Sequence, residues 1–92
     1  MTAQEADALG RLIRDASVAL KRTTHCEKTY VMMFAEAEGF SHVHFHLVPR
    51  MSDLPEERQG PRIFAYLRET PLSFAAQDEF AQHVRNAWPD SD

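Results

Sequence analysis

A single cysteine, Cys26, is the only thiol in this 92-residue sequence. One thiol cannot close an internal disulfide and offers no zinc–thiolate spacing. No apolar run approaches the roughly 18–20 residues that a membrane helix needs. The opening Met1-Thr2-Ala3-Gln4-Glu5-Ala6-Asp7 has neither the basic start nor the apolar stretch of a signal peptide. A basic surplus is missing too: ten Lys and Arg against fourteen Asp and Glu leave a formal net charge of −4, with a pI near 5.7. Duplex nucleic acid is gripped by a basic face that displaces counterions, so neither DNA nor RNA is an expected partner. A membrane is not expected either. These absences together point to a reducing compartment, and the expectation is a soluble cytoplasmic domain.

What is present is the composition of a globular chain. Hydrophobic residues make up 43% and charged residues 26%, which excludes disorder, a collagen-like chain and a disulfide knot. At 10.5 kDa this is one domain or part of one. A chain of this size buries only about 60–65% of its unfolded surface, so a thin core and an oligomer are expected.

Thr2 and Glu5 form an S/T-x-x-E capping box, in which each side chain satisfies the other's backbone N–H. Behind it Ala6, Leu9, Ile13, Ala16 and Leu20 recur at helical spacing, with Leu12 and Ala19 widening the stripe. The spacing predicts a helix over 3–21, with Gly10 inside it pointing to close packing. After a polar connection, 28–35 is rich in β-branched, aromatic and Met residues and reads as a strand buried on both faces. Residues 36–41, with Gly39, suit a hairpin connection. Strict alternation over 41–48 is the clearest strand signal in the chain.

Prolines 49, 55 and 61, with the charged residues and Gly60 among them, mark 49–61 as an irregular loop placed to lid a site or simply to connect. The apolar run Ile63-Phe64-Ala65-Tyr66-Leu67 has no periodicity that assigns its type. Thr70-Pro71 has the form of an N-cap and first helical position, and Ala76, Phe80, Val84 and Ala87 follow as a second amphipathic stripe that Pro89 ends. No repeat, low-complexity tract or linker divides the chain.

Three of the five histidines fall in His42-Val43-His44-Phe45-His46-Leu47-Val48. On a strand, alternation places His42, His44 and His46 on one face and Val43, Phe45 and Leu47 on the other. The apolar face anchors the strand, and the imidazoles are presented rigidly. Imidazole, with an unperturbed pKa of about 6.5, serves as nucleophile, base or acid near neutrality. Ordinary surface histidines and a metal site are the rival readings. A regular strand rises ~3.3 Å per residue, so His42 and His46 begin about 13 Å apart and cannot readily share one ion. The row suits an extended substrate such as a polyphosphate better.

The segment 42–48 matches in full the His-φ-His-φ-His-φ-φ motif of the histidine triad (HIT) family, and Pro49-Arg50 and the order helix, strand, hairpin, triad strand and tail also resemble it. The resemblance covers about residues 3–70 and implies an α+β domain in which a helix is followed by antiparallel strands and a C-terminal helix. Its sheet is expected to be completed by dimerisation. It also implies hydrolysis or transfer of nucleoside monophosphates from substrates such as dinucleoside polyphosphates and nucleoside phosphoramidates, in a homodimer needing no cofactor and no metal. On that resemblance His44 attacks the α-phosphorus, His42 orients His44, and His46 hydrogen-bonds the phosphate or leaving-group oxygen.

A HIT domain ordinarily carries strands upstream of this helix, which supply much of the base and ribose pocket and an auxiliary histidine. The expectation is therefore a single HIT-like domain over 1–92, shortened at its N-terminus. The strand before the hairpin usually bears Asn or Gln, where this sequence has Met32-Met33-Phe34. Arg50 is a candidate phosphate ligand, with a solvated strand-end charge as the alternative. Ser41 is a second candidate for substrate contact, although alternation turns it to the face opposite the imidazoles. Met32, Met33, Phe34 and Phe45 are core residues before they are base-stacking ones, and His25 and His83 read as surface residues. Cys26 beside His25 has the makings of an activated thiol but no visible oxyanion or orienting partner. Three functions follow: a HIT-type hydrolase or transferase, a catalytically weak nucleotide-binding or assembly module, and a histidine-coordinated metal protein.

Overall fold

The Thr2–Glu5 capping box forms as its residue types dictate. In the computed structural model, which describes residues 1–33 and 44–90, the Glu5 N–H donates to the Thr2 hydroxyl at 3.1 Å and the Thr2 N–H donates to the Glu5 carboxylate at 3.0 Å. Accepting the Thr2 backbone N–H, and to a lesser degree bonding with its hydroxyl, holds the Glu5 carboxyl below its ordinary pKa.

The helix it opens, α1 (Ala3–Thr24), runs three residues beyond the predicted end. The reason is local. The Thr23 and Thr24 hydroxyls donate back to the carbonyls of Ala19 and Leu20, each at 2.8 Å, so these polar residues extend the helix instead of leaving it. His25 then turns the chain at φ 56°, a left-handed position usually taken by glycine, with its N–H bonded to the Lys21 carbonyl at 2.8 Å. The Cys26 carbonyl accepts from the Lys21 ammonium. Ala19 and Leu20 are buried, Leu9, Ile13 and Ala16 half-buried, and Leu12 is exposed. The expected close packing at Gly10 is not found: a Cβ placed there meets nothing within 4 Å.

Two strands follow, β1 (Lys28–Met32) and β2 (His46–Arg50), paired antiparallel with Tyr30 opposite Val48 and Met32 opposite His46. The predicted hairpin over 36–41 and the first part of the predicted triad strand lie outside the described residues. Two expectations are corrected. β1 is not buried on both faces, because Val31 and Met33 are exposed on a two-stranded ribbon. And β2 continues through Pro49 and Arg50, which the sequence had assigned to the loop. Pro49, opposite Thr29, has no N–H to offer, and a strand whose other edge is unpaired among the described residues tolerates it.

The rest of the expected loop contains a 3₁₀ turn (Glu56–Arg58), and its end joins the unassigned run 63–67 in a 3₁₀ helix (Gly60–Arg68) that contains the buried Ile63. The second helix, α2 (Phe74–Asn86), is capped by Ser73, whose hydroxyl accepts from the Ala76 N–H at 3.1 Å. Thr70-Pro71 was expected in that role. Ser73 takes it because the 3₁₀ helix runs to Arg68 and leaves 69–72 outside any helix before the next turn can close.

The fold is thus α+β, two helices flanking a two-stranded antiparallel sheet among the described residues. α1 packs against both strands and α2, and an Arg22 guanidinium N–H donates to the Ala87 carbonyl at 3.1 Å. The fully or nearly buried core is small: Ala19, Leu20, Cys26 and Ile63. No helix among the described residues is long and apolar enough to cross a membrane.

Candidate functional site

Alternation along the chain entering β2 separates its side chains into two sets. Phe45 and Leu47 turn toward α1 and, with Leu9, Leu12, Ile13 and Ala16, line a groove of about 650 Å³. His46 and Val48 line a cleft of about 690 Å³ on the other side. The remaining wall of that cleft comes from the irregular segment: Met51, Leu54 and Pro55 leading into the 3₁₀ turn, and Ile63, Phe64, Tyr66 and Leu67 from the 3₁₀ helix. Among the described residues, Asp53 is the only carboxylate in the lining, and no Lys or Arg contributes to it. A mostly apolar cleft of a few hundred cubic ångströms with a few polar groups is the usual form of a small-molecule site.

His46 is the polar group the sheet itself delivers to this cleft. Its ring meets that of Phe64 edge-to-face, with centroids 5.1 Å apart and planes at 78°. It meets that of His44 in the same manner, at 5.2 Å and 82°. The two described members of the triad are therefore adjacent. They are not equivalent, because His44 precedes the first strand residue and also borders the groove along α1, beside Phe45. The expected single imidazole face is realised at His46 and bends away at His44, where the backbone is not yet in the ladder. His42 and Ser41 lie outside the described residues.

Arg50 is half-buried at the end of β2, and its Nε lacks a hydrogen-bond partner among the described residues. It is not among the cleft-lining residues, so the structure does not bring it to His46. His25 and His83 are exposed, as expected, with His83 4.0 Å from the Glu79 carboxylate. Cys26 is fully buried, its sulfur 3.9 Å from the Thr29 hydroxyl. No three His, Cys, Asp or Glu side chains cluster as a metal site among the described residues.

The cleft wall is what the sequence reading missed. Its only signal was the apolar run 63–67 following Gly60-Pro61, too short for a period to show. Arg58 lies over the Tyr66 ring, 4.4 Å from its centroid, and 4.0 Å from the Glu69 carboxylate, so charged residues of the presumed loop brace this wall from outside. Searches against protein-family models, curated proteins and solved structures return no match to this chain.

Proposed function

We propose that this chain is a HIT-type nucleotide hydrolase or nucleotidyl transferase, acting on the α-phosphate of a nucleoside phosphoramidate or dinucleoside polyphosphate. The observation that carries the reading is the histidine triad of the sequence, two of whose members meet ring to ring beside an apolar cleft large enough for part of a nucleotide. An imidazole nitrogen of His44 attacks the α-phosphorus. A P–N bond forms as the bond from phosphorus to the leaving nitrogen or oxygen breaks, and the leaving group takes up a proton. Water then attacks the phosphorus, the P–N bond breaks, and nucleoside monophosphate departs with the imidazole restored. His42 orients His44, and His46 hydrogen-bonds the phosphate or leaving-group oxygen. Arg50 and Ser41 are the candidate substrate contacts. The reaction needs no metal or cofactor, since each step is carried by imidazole, water and hydrogen-bond donors.

The accompanying fold reading is a HIT-like domain whose sheet is completed in a homodimer. Supporting it, Leu12 on α1 and Val31 and Met33 in and beside β1 are large apolar side chains left exposed in a single copy. Val31 is paired with Leu47, which lines the α1 groove together with Leu12. A sheet edge left uncovered among the described residues, beside such a surface, favours pairing with another chain.

A second reading, the catalytically weak nucleotide-binding or assembly module, is favoured by a separate observation. Among the described residues, neither the cleft lined by His46 nor the groove bordered by His44 has a Lys or Arg in its lining to hold a phosphate. One experiment separates the two. AMP release from an adenosine phosphoramidate and from a diadenosine polyphosphate is measured with the wild-type chain and with His44→Ala. Turnover that disappears in His44→Ala supports the hydrolase. No turnover from folded wild-type protein at high concentration sinks it and leaves the module.

A further inference from the structure

We infer that Phe64 is a positioning residue for His46, held in place through Tyr30. The half-buried imidazole of His46 has a choice of side-chain rotamers on an open strand. Two edge-to-face neighbours, Phe64 at 5.1 Å and His44 at 5.2 Å, narrow that choice. Phe64 does not belong to the sheet, so its place depends on how the 3₁₀ helix Gly60–Arg68 is fastened. Besides the Arg58 brace at Tyr66, two contacts among the described residues fasten it at its start and middle. The Gly60 N–H donates to the Tyr30 hydroxyl at 3.0 Å, and Ile63, next to Phe64, is buried.

Tyr30 pairs with Val48, two residues from His46 along β2, so the anchor and the imidazole share one sheet face. The chain of contact runs from Tyr30 through Gly60 to Phe64 and back to His46. It closes a loop between the ribbon and a segment 30 residues further along the sequence.

The catalytic consequence rests on the proposed function, whereas the ring geometry does not. In that reaction His46 gives a directional hydrogen bond to an oxygen that gains charge as the leaving group departs. Such bonds weaken steeply when misaligned. Loss of the Phe64 ring should therefore act on turnover more than on substrate binding.

The test combines imidazole NMR of the free protein with AMP-release kinetics. Phe64→Leu keeps an apolar side chain and removes the ring. It is expected to displace the His46 Cε1–H and Cδ2–H resonances and to lower kcat about tenfold while KM stays within about twofold. Phe64→Tyr, which keeps the ring, should retain wild-type values of both. Tyr30→Phe removes only the anchoring hydroxyl, so it should displace the same resonances less and in the same direction, and it serves if Phe64→Leu does not fold. His46 resonances that stay unmoved in the folded variants would overturn the inference. So would a fall in kcat as large in Phe64→Tyr as in Phe64→Leu, or a change confined to KM. If wild-type protein releases no AMP, the hydrolase reading falls, and the Tyr30→Phe imidazole spectra, recorded with the Phe64 ring current still present, decide whether the placement of Phe64 positions His46.

Discussion

The two sides of β2 enclose spaces of similar size, about 650 and 690 Å³, by different means. The groove along α1 is built from a capped, periodic helix and the apolar positions of an alternating segment, Phe45 and Leu47. Each of its two walls follows from residues within a turn or two of one another, and the packing of α1 on β2 brings the walls together. The cleft at His46 is walled by a 3₁₀ helix whose position depends on the Tyr30 hydroxyl and on burial of Ile63. Regular elements thus supply one side of β2, and an irregular segment tied down by long-range contacts supplies the wall that faces His46. Connecting segments are commonly where binding groups are placed once a rigid scaffold holds them. The difference also predicts unequal responses to mutation.

The largest expected effect is on chemistry. On the proposed mechanism His44→Ala removes the nucleophile and should reduce AMP release by at least about a thousandfold, the scale on which losing a covalent nucleophile is felt. Because His44 is only half-buried, the thermal unfolding transition should stay close to wild type. Residual turnover within tenfold of wild type would remove His44 from the nucleophilic role.

Next comes the cleft wall. Ile63 is the one buried side chain of the irregular segment, and Ile63→Ala should destabilise the protein by about 2–4 kcal/mol in urea unfolding, through lost burial and the cavity left behind. An unchanged midpoint would show that the wall is not coupled to the core. On the opposite side, Leu12→Asp introduces a charge at an exposed helix position, so little loss of fold is expected. If the α1 side is a homodimer interface, sedimentation should instead show this variant shifted toward monomer, because a charge must be desolvated to pair. A monomeric wild type at high concentration would dismiss the dimer.

The smallest effects belong to the helix start. Thr2→Ala removes the cap and should cost about 1 kcal/mol, measured as a lowered unfolding midpoint. The same box carries a pH dependence. Hydrogen bonding holds the folded-state pKa of Glu5 below its unfolded value, so its contribution is complete above the ordinary carboxylate range. It is lost as pH falls through that range to the lowered folded value. Amide-exchange protection at the first turn of α1 should fall over that interval in wild type and, more weakly, in Thr2→Ala, which keeps the backbone N–H that lowers the Glu5 pKa most; Glu5→Gln should show little such pH dependence.

How legible the molecule was from its residues varies along the same division. The α1 cap, the antiparallel partners and the apolar set on the triad segment were readable, because each follows from spacing within one element. The end of α1 was misplaced by three residues, since Thr23 and Thr24 look like loop residues until their hydroxyls are seen bonded back to Ala19 and Leu20. The cap of α2 was placed at Thr70 when Ser73 carries it, since both residue types qualify and only the end of the preceding 3₁₀ helix separates them. At the site, His46 was found from alternation. The bend of His44 toward the α1 groove was not, because alternation assumes a regular strand and the ladder begins only at His46.

By itself, then, the sequence determined the secondary elements with strong local signals, the α+β class and the residues whose chemistry is worth testing. Helix capping and strand alternation are short-range preferences, and a few neighbouring residues suffice to express them. Only the tertiary structure decided that 51–68 closes over His46 as the wall of a cleft, that Phe64 is its aromatic neighbour, and that Arg50 stays out of the lining. Those outcomes rest on the Tyr30–Gly60 hydrogen bond and the burial of Ile63, contacts between residues far apart in the chain. No periodicity encodes such contacts, and they form only where packing brings the segments together.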